Sequence, residues 1–238
     1  MKTQDIKKAF RSSVLAVAAI AAGLAVSAAA SAGTTTLYGS GGDTTLGFEH
    51  TFDGLTISAW TYDNSVDFKN ATYDQATLFQ RNTGGHYSDP DEWGIGVGET
   101  TRNGEIDPDE FLKLDFGTAV LPSNYFSGML QFTIGSLQTN EQVGFWIGDP
   151  EHNDGSAGFY GSLTGTSDSN AMATFDIPGS AFLRGDGANN GFNNLYIVGL
   201  TDDVLLQSIT SVPEPGVLAI FGFGLLVFAG MLRRRHSR

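Results

Sequence analysis

The chain has 238 residues and no cysteine, so disulfides, thiolate metal sites and cysteine nucleophiles are excluded. Its 31 glycines follow no collagen-like period, and the length is enough to bury a core without covalent help. Residues 33–211 hold five of the 13 basic and 24 of the 26 acidic residues, a net charge of −19 that repels phosphate backbones and excludes a nucleic-acid partner.

The chain opens with a basic stretch from Lys2 to Arg11, an apolar run from Val14 to Val26, and small residues ending Ala30-Ser31-Ala32. That order predicts a secretory signal peptide over residues 1–32, cut by signal peptidase between Ala32 and Gly33. The apolar run is too short to span the roughly 30 Å hydrocarbon core comfortably.

Residues 33–211 read as one all-β ectodomain, a β-sandwich or jelly roll. Leu55, Ile57 and Ala59 alternate with Thr56 and Ser58. Leu112, Leu114 and Phe116 alternate with Lys113 and Asp115, and Leu130, Phe132 and Ile134 with Gln131 and Thr133. Val143, Phe145 and Ile147 form another set. Leu195 to Leu200 is apolar at nearly every position, which predicts a strand buried on both faces. Clusters such as Gly41-Gly42-Asp43 and Asn153-Asp154-Gly155 punctuate the runs as turns. A helical period survives for only one or two turns, near Tyr73 to Phe79.

Between the first and second of these runs lies an acidic stretch. Asp89, Asp91, Glu92, Glu105, Asp107, Asp109 and Glu110 place seven carboxylates within 22 residues. Crowded carboxylates repel unless solvent or a cation relieves them, and hard oxygen ligands suit Ca²⁺. Asp89, Asp91, Glu105, Asp107, Asp109 and Glu110 are therefore candidate Ca²⁺ ligands. The stretch is not an EF-hand: Pro108 interrupts it, and Glu110 stands where the loop needs glycine. A solvated acidic turn is the plain alternative.

Tyr87 and Trp93 flank this stretch. Aromatic side chains pair an apolar face with a polar tip, so these two are candidate carbohydrate contacts. Trp146 reads instead as part of a strand. A carboxylate pair could also serve a glycoside hydrolase, although spacing in sequence does not give the separation that such chemistry needs. His50, His86, His152 and His236 show no zinc spacing, and no G-x-S-x-G or G-x-G-x-x-G motif occurs.

The chain closes with Val212-Pro213-Glu214-Pro215, an uncharged apolar run from Gly216 to Leu232, and Arg233-Arg234-Arg235. At 1.5 Å per residue the run is roughly 26 Å long, enough for one transmembrane helix over 216–232. The basic tail 233–238 would stay cytoplasmic. The three parts together, residues 212–238, resemble the PEP-CTERM sorting signal of Gram-negative bacteria. The resemblance implies recognition by exosortase, a membrane-embedded enzyme similar to cysteine transpeptidases, and passage to the cell envelope or the exterior after transient anchoring. It also implies an association with exopolysaccharide and biofilm. The segment Trp93 to Phe116 is similar to a stretch that recurs in secreted PEP-CTERM sandwich proteins, where Glu105 and Asp107 would end a loop and Glu110 open a strand.

The resulting expectation is an exported, non-enzymatic envelope or matrix protein. The alternatives are a lectin-like module that binds exopolysaccharide, with or without Ca²⁺, and a secreted hydrolase.

Overall fold

A computed structural model describes residues 33–65, 67–98, 104–116, 128–148, 158–167, 171–183 and 194–213. The signal segment with Ala30 and Ala32, and the tail from Glu214 and Pro215 through Arg233, Arg234 and Arg235, lie outside the described residues. Ala32–Val212 forms one compact unit.

Among the described residues, fourteen strands build two sheets. The first contains β1 (Gly33–Thr36), β2 (Thr44–Gly47), β6 (Leu78–Arg81), β7 (Gly94–Val97), β9 (Gly128–Gly135), β12 (Ala173–Pro178) and β14 (Leu205–Pro213). Its order is β12-β9-β14-β7-β6-β2, with β1 also paired to β14. The second contains β3 (Glu49–Phe52), β4 (Leu55–Tyr62), β5 (Tyr73–Ala76), β8 (Glu110–Asp115), β10 (Gln142–Ile147), β11 (Gly158–Thr164) and β13 (Asn194–Gly199). Its order is β11-β10-β13-β8-β4-β3, with β5 also paired to β4.

Period-two alternation sets which side chains meet. In β4 and β8, Ile57 pairs with Leu114 and Ala59 with Leu112, and all four are buried. Phe145 of β10 stacks on Phe175 of β12, ring centroids 4.1 Å apart and 6° from parallel, so the two sheets interlock through aromatic rings. Leu130, Phe132 and Ile134 line β9, and Leu206 and Ile209 line β14, completing one continuous core. Each large apolar side chain buried there contributes about 1.5–3 kcal/mol before the entropy cost of ordering it.

The alternating runs of the sequence thus became β4, β8, β9, β10 and β13, and every residue from Leu195 to Gly199 is buried. The helical period near Tyr73 to Phe79 did not become a helix. It became β5 and β6, separated at Thr77, because pairing with β4 and β7 satisfies that backbone in extended form. Asp53 and Gly54 turn β3 into β4 with φ of 49° and 88°. Two left-handed residues match the twist of a tight hairpin, and Asp-Gly is the pair that tolerates them.

Candidate functional site

Loops at one end of the sandwich carry most of the acidic stretch. β6 ends in Arg81, which is 1% exposed. Its Nη1 donates to Glu105 Oε1 at 3.0 Å, and Ser136 Oγ donates to the same oxygen at 2.5 Å. Glu105 follows Gly104, whose backbone packs against Phe79, and Ser136 follows the end of β9. Burial pushes the Glu105 carboxyl above its ordinary range, against the opposing pull of Arg81 and Ser136. The guanidinium also lies over the Tyr87 ring, 3.8 Å from its centroid. These groups face a cavity of about 310 Å³ whose remaining lining is almost entirely polar, with Glu92, Glu141, Asp202 and Asp203 adding negative charge.

Asp107 sits beside that cavity. Ile106 and Val204 form an isolated antiparallel bridge, with Ile106 N donating to Val204 O at 2.8 Å. That register sets Asp107 opposite Asp203, and directly opposed like charges destabilise a pair. The Asp107 carboxyl is pushed up to about 7 by burial, by a hydrogen bond shared with Asp203, and by the charges of Asp203, Glu110 and Asp109. Glu110 Oε2 accepts from the Asp107 N–H at 3.0 Å.

Three of the candidate Ca²⁺ ligands have partners of their own. Glu105 holds Arg81, Glu110 caps Asp107, and Asp89 Oδ1 accepts from Asp91 N at 3.0 Å. Asp109 is exposed. Among the described residues no three acidic or histidine side chains converge in a way that could hold an ion. Tyr87 and Trp93 do come together: Trp93 Nε1 donates to Tyr87 O at 3.0 Å, and the Trp93 ring packs on Tyr38. Both are half-buried.

The outer face of the second sheet carries a second apolar cluster. Phe68, from the short 3₁₀ turn Phe68–Asn70, lies over Phe111, Trp146 and Tyr196 at ring distances of 5.1, 5.0 and 5.9 Å. Tyr62 and Tyr73 close its flanks. Trp60 stacks on Phe111 and donates from Nε1 to Ser58 Oγ at 2.8 Å. Trp146 faces outward from β10 while Phe145 faces the core, as alternation requires. Beyond Trp146, at the sheet edge, Phe159 is 56% exposed and Tyr160 40% exposed.

Sequence reasoning missed Arg81, Ser136, Glu141, Asp202 and Asp203. A signal for Arg81 existed: it is one of only five basic residues in 33–211 and ends an apolar strand. Nothing local announced the other four, because a bridge and two loops bring them in from distant sequence.

At the chain's other end, β1 lies against the last turns of β14. Gly33 pairs with Ser211, Thr34 with Thr210, Thr35 with Ile209 and Thr36 with Ser208. β14 runs through Val212 to Pro213 without a linker. Residues 211–235 match the family model of the PEP-CTERM protein-sorting motif. The chain carries a PEP-CTERM sorting tail. That tail implies export, a membrane-anchored C-terminal signal, and exosortase as the processing partner. Among the described residues no helix is long and apolar enough to cross a membrane, and the expected span 216–232 lies outside them.

No curated protein matches the chain. Among solved structures, it is similar to a family 29 carbohydrate-binding module from Piromyces equi, with 13% identity, 77% of this chain and 93% of that one covered, and a TM-score of 0.34. A xylan-binding module of family 15 gives 8% identity, coverage of 72% and 97%, and a TM-score of 0.34. A family 30 module of a cellulosomal cellulase from Clostridium thermocellum gives 13%, coverage of 76% and 98%, and 0.31.

Proposed function

We propose that this is an exported, non-catalytic envelope or extracellular-matrix protein whose β-sandwich contacts exopolysaccharide. The observation that carries the export and sorting part is the motif at 211–235, whose first residues belong to β14. The saccharide part is supported by chemistry at two places. The cavity beside Tyr87 is lined with hydrogen-bonding groups, which suits a polyhydroxylated ligand and disfavours an apolar one. Phe159, Tyr160 and the partly exposed Trp146 offer ring surface at a sheet edge. The strong negative charge favours neutral or cationic glycans over acidic ones.

A calcium requirement is a separate part of the proposal. No three carboxylates converge among the described residues, so an ion that relieves the Asp107–Asp203 repulsion would take most of its ligands from water. A glycan array run with millimolar Ca²⁺ and with chelator tests both parts. Binding in both conditions supports a calcium-independent lectin, and binding lost with chelator supports the ion. No binding in either leaves a matrix protein without saccharide recognition. Mass spectrometry of the native protein tests export through loss of residues 1–32.

A further inference from the structure

The residues where the sorting motif begins are already committed to a sheet. Ser211, the first matched residue, is 6% exposed, and its backbone is paired with Gly33. An enzyme that processes a peptide takes it as an extended strand and makes its own hydrogen bonds to the backbone. A strand whose N–H and C=O groups are occupied by a neighbour cannot offer them at the same time.

The neighbour is weakly held. β1 has four residues, three of them exposed, and β14 is its pairing strand among the described residues. Behind it Leu37 is fully buried, and its N–H donates to Gln207 O at 2.9 Å. Leu37 is therefore a fixed point, and Gly33–Thr36 is the segment that can detach without disturbing the core. Short exposed segments of this kind open at the low end of the local-stability range. When opening is fast, processing follows the population of the open form.

We propose that β1 is a removable cover over the start of the sorting motif, and that exosortase engages the tail only after Gly33–Thr36 has peeled from β14. The proposal rests on the sorting reading above and adds its control: the fold sets how fast the tail is used. The predicted signal-peptide cut makes Gly33 the first residue of the mature chain. Before the cut, β1 is tethered at both ends. After it, β1 has a free end from which to fray.

The test uses the full chain in its native host. Thr34 Oγ1 and Thr210 Oγ1 lie 3.0 Å apart across the pair, so Thr34→Cys with Thr210→Cys places two sulfurs within bonding reach. The chain has no other cysteine, and the exported compartment is oxidising. Conversion of the full-length to the sorted form is followed by pulse labelling and mass spectrometry. The closed disulfide should slow it more than about ten-fold by removing the open population, and added reductant should restore it. Thr35→Pro, which removes a ladder donor from β1, should speed it. Sorting of the oxidised protein as fast as either single-cysteine variant overturns the proposal, as does an unchanged rate for Thr35→Pro. A parallel chain with Pro213, Glu214 and Pro215 all changed to alanine separates the two failures. If that chain also sorts normally, the sorting reading itself is wrong.

Discussion

Two places outside the main core bury large side chains, and they do so by opposite means. The outer face of the second sheet is closed by rings: Phe68 on Phe111, Trp146 and Tyr196. The cavity end is closed by charge: Arg81 on Glu105, with Asp107 against Asp203. Ring closure depends on area removed from water and is indifferent to pH. Ionic closure depends on protonation and on each charge keeping its partner. The same sandwich therefore has one end that responds to its surroundings and one face that does not.

The sharpest way to break this contrast is at Arg81. Arg81→Ala leaves Glu105 buried without its cation and should cost about 3–5 kcal/mol in denaturant melts. The double change Arg81→Met with Glu105→Leu should recover most of that loss, since a buried pair can often be replaced by apolar groups of similar size. If the double variant is as unstable as the single one, the pair does more than satisfy itself.

Phe68→Ala should cost nearly as much, about 3–4 kcal/mol, through the cavity left among the surrounding rings. Its cost should be equal at pH 5 and pH 8. A pH-dependent cost would blur the distinction between the two regions.

The pH profile of the unaltered domain comes next in size. Folded Asp107 keeps its proton up to about 7, whereas the unfolded carboxyl gives it up near 3.8. Between those values the folded state binds more protons, so stability falls as pH rises through the window. The raised Glu105 and Glu141 carboxyls act in the same direction. Allowing for solvent screening of the partly exposed Asp107, the loss should be about 1–2 kcal/mol. For a domain of this size that lowers Tm by roughly 2–8 °C from pH 5 to pH 8. Asp203→Asn should flatten the profile by removing the opposing charge.

Phe159→Ser should have the smallest effect on folding, within about 0.5 kcal/mol, because the ring is largely exposed. If this edge contacts saccharide, the same change should weaken glycan binding measured by calorimetry. Equal binding by both forms would move attention to the Tyr87 cavity.

How far each region could be read in the sequence follows from the same difference. The main core was legible because apolar alternation is local: Leu112, Leu114 and Phe116 announce their strand within five residues. The ring-closed face was half legible. Alternation required Phe145 and Trp146 to face opposite ways, but nothing near Phe68 says that a 3₁₀ turn folds it onto the outer face. The cavity was least legible, since Asp107 meets Asp203 only through the Ile106–Val204 bridge. The candidate ligands clustered in sequence but spread among separate partners in space, and the contact between Tyr87 and Trp93 was not announced by the sequence. The sorting motif was readable throughout because its recognition depends on the order of residues and not on a fold.

The continuity of β14 with the tail has a mechanical consequence. β14 lies inside the first sheet, between β9 and β7, and leaves it at Pro213. Tension applied to the tail would run along the strand axis, across ladder bonds that lie perpendicular to it. Bonds loaded this way share the force and must fail together in shear, whereas an edge strand pulled sideways unzips one bond at a time. Load carried by β14 along its own axis would thus fall on ladder bonds that resist together, so this strand holds the sheet more firmly than its edge partner β1 does.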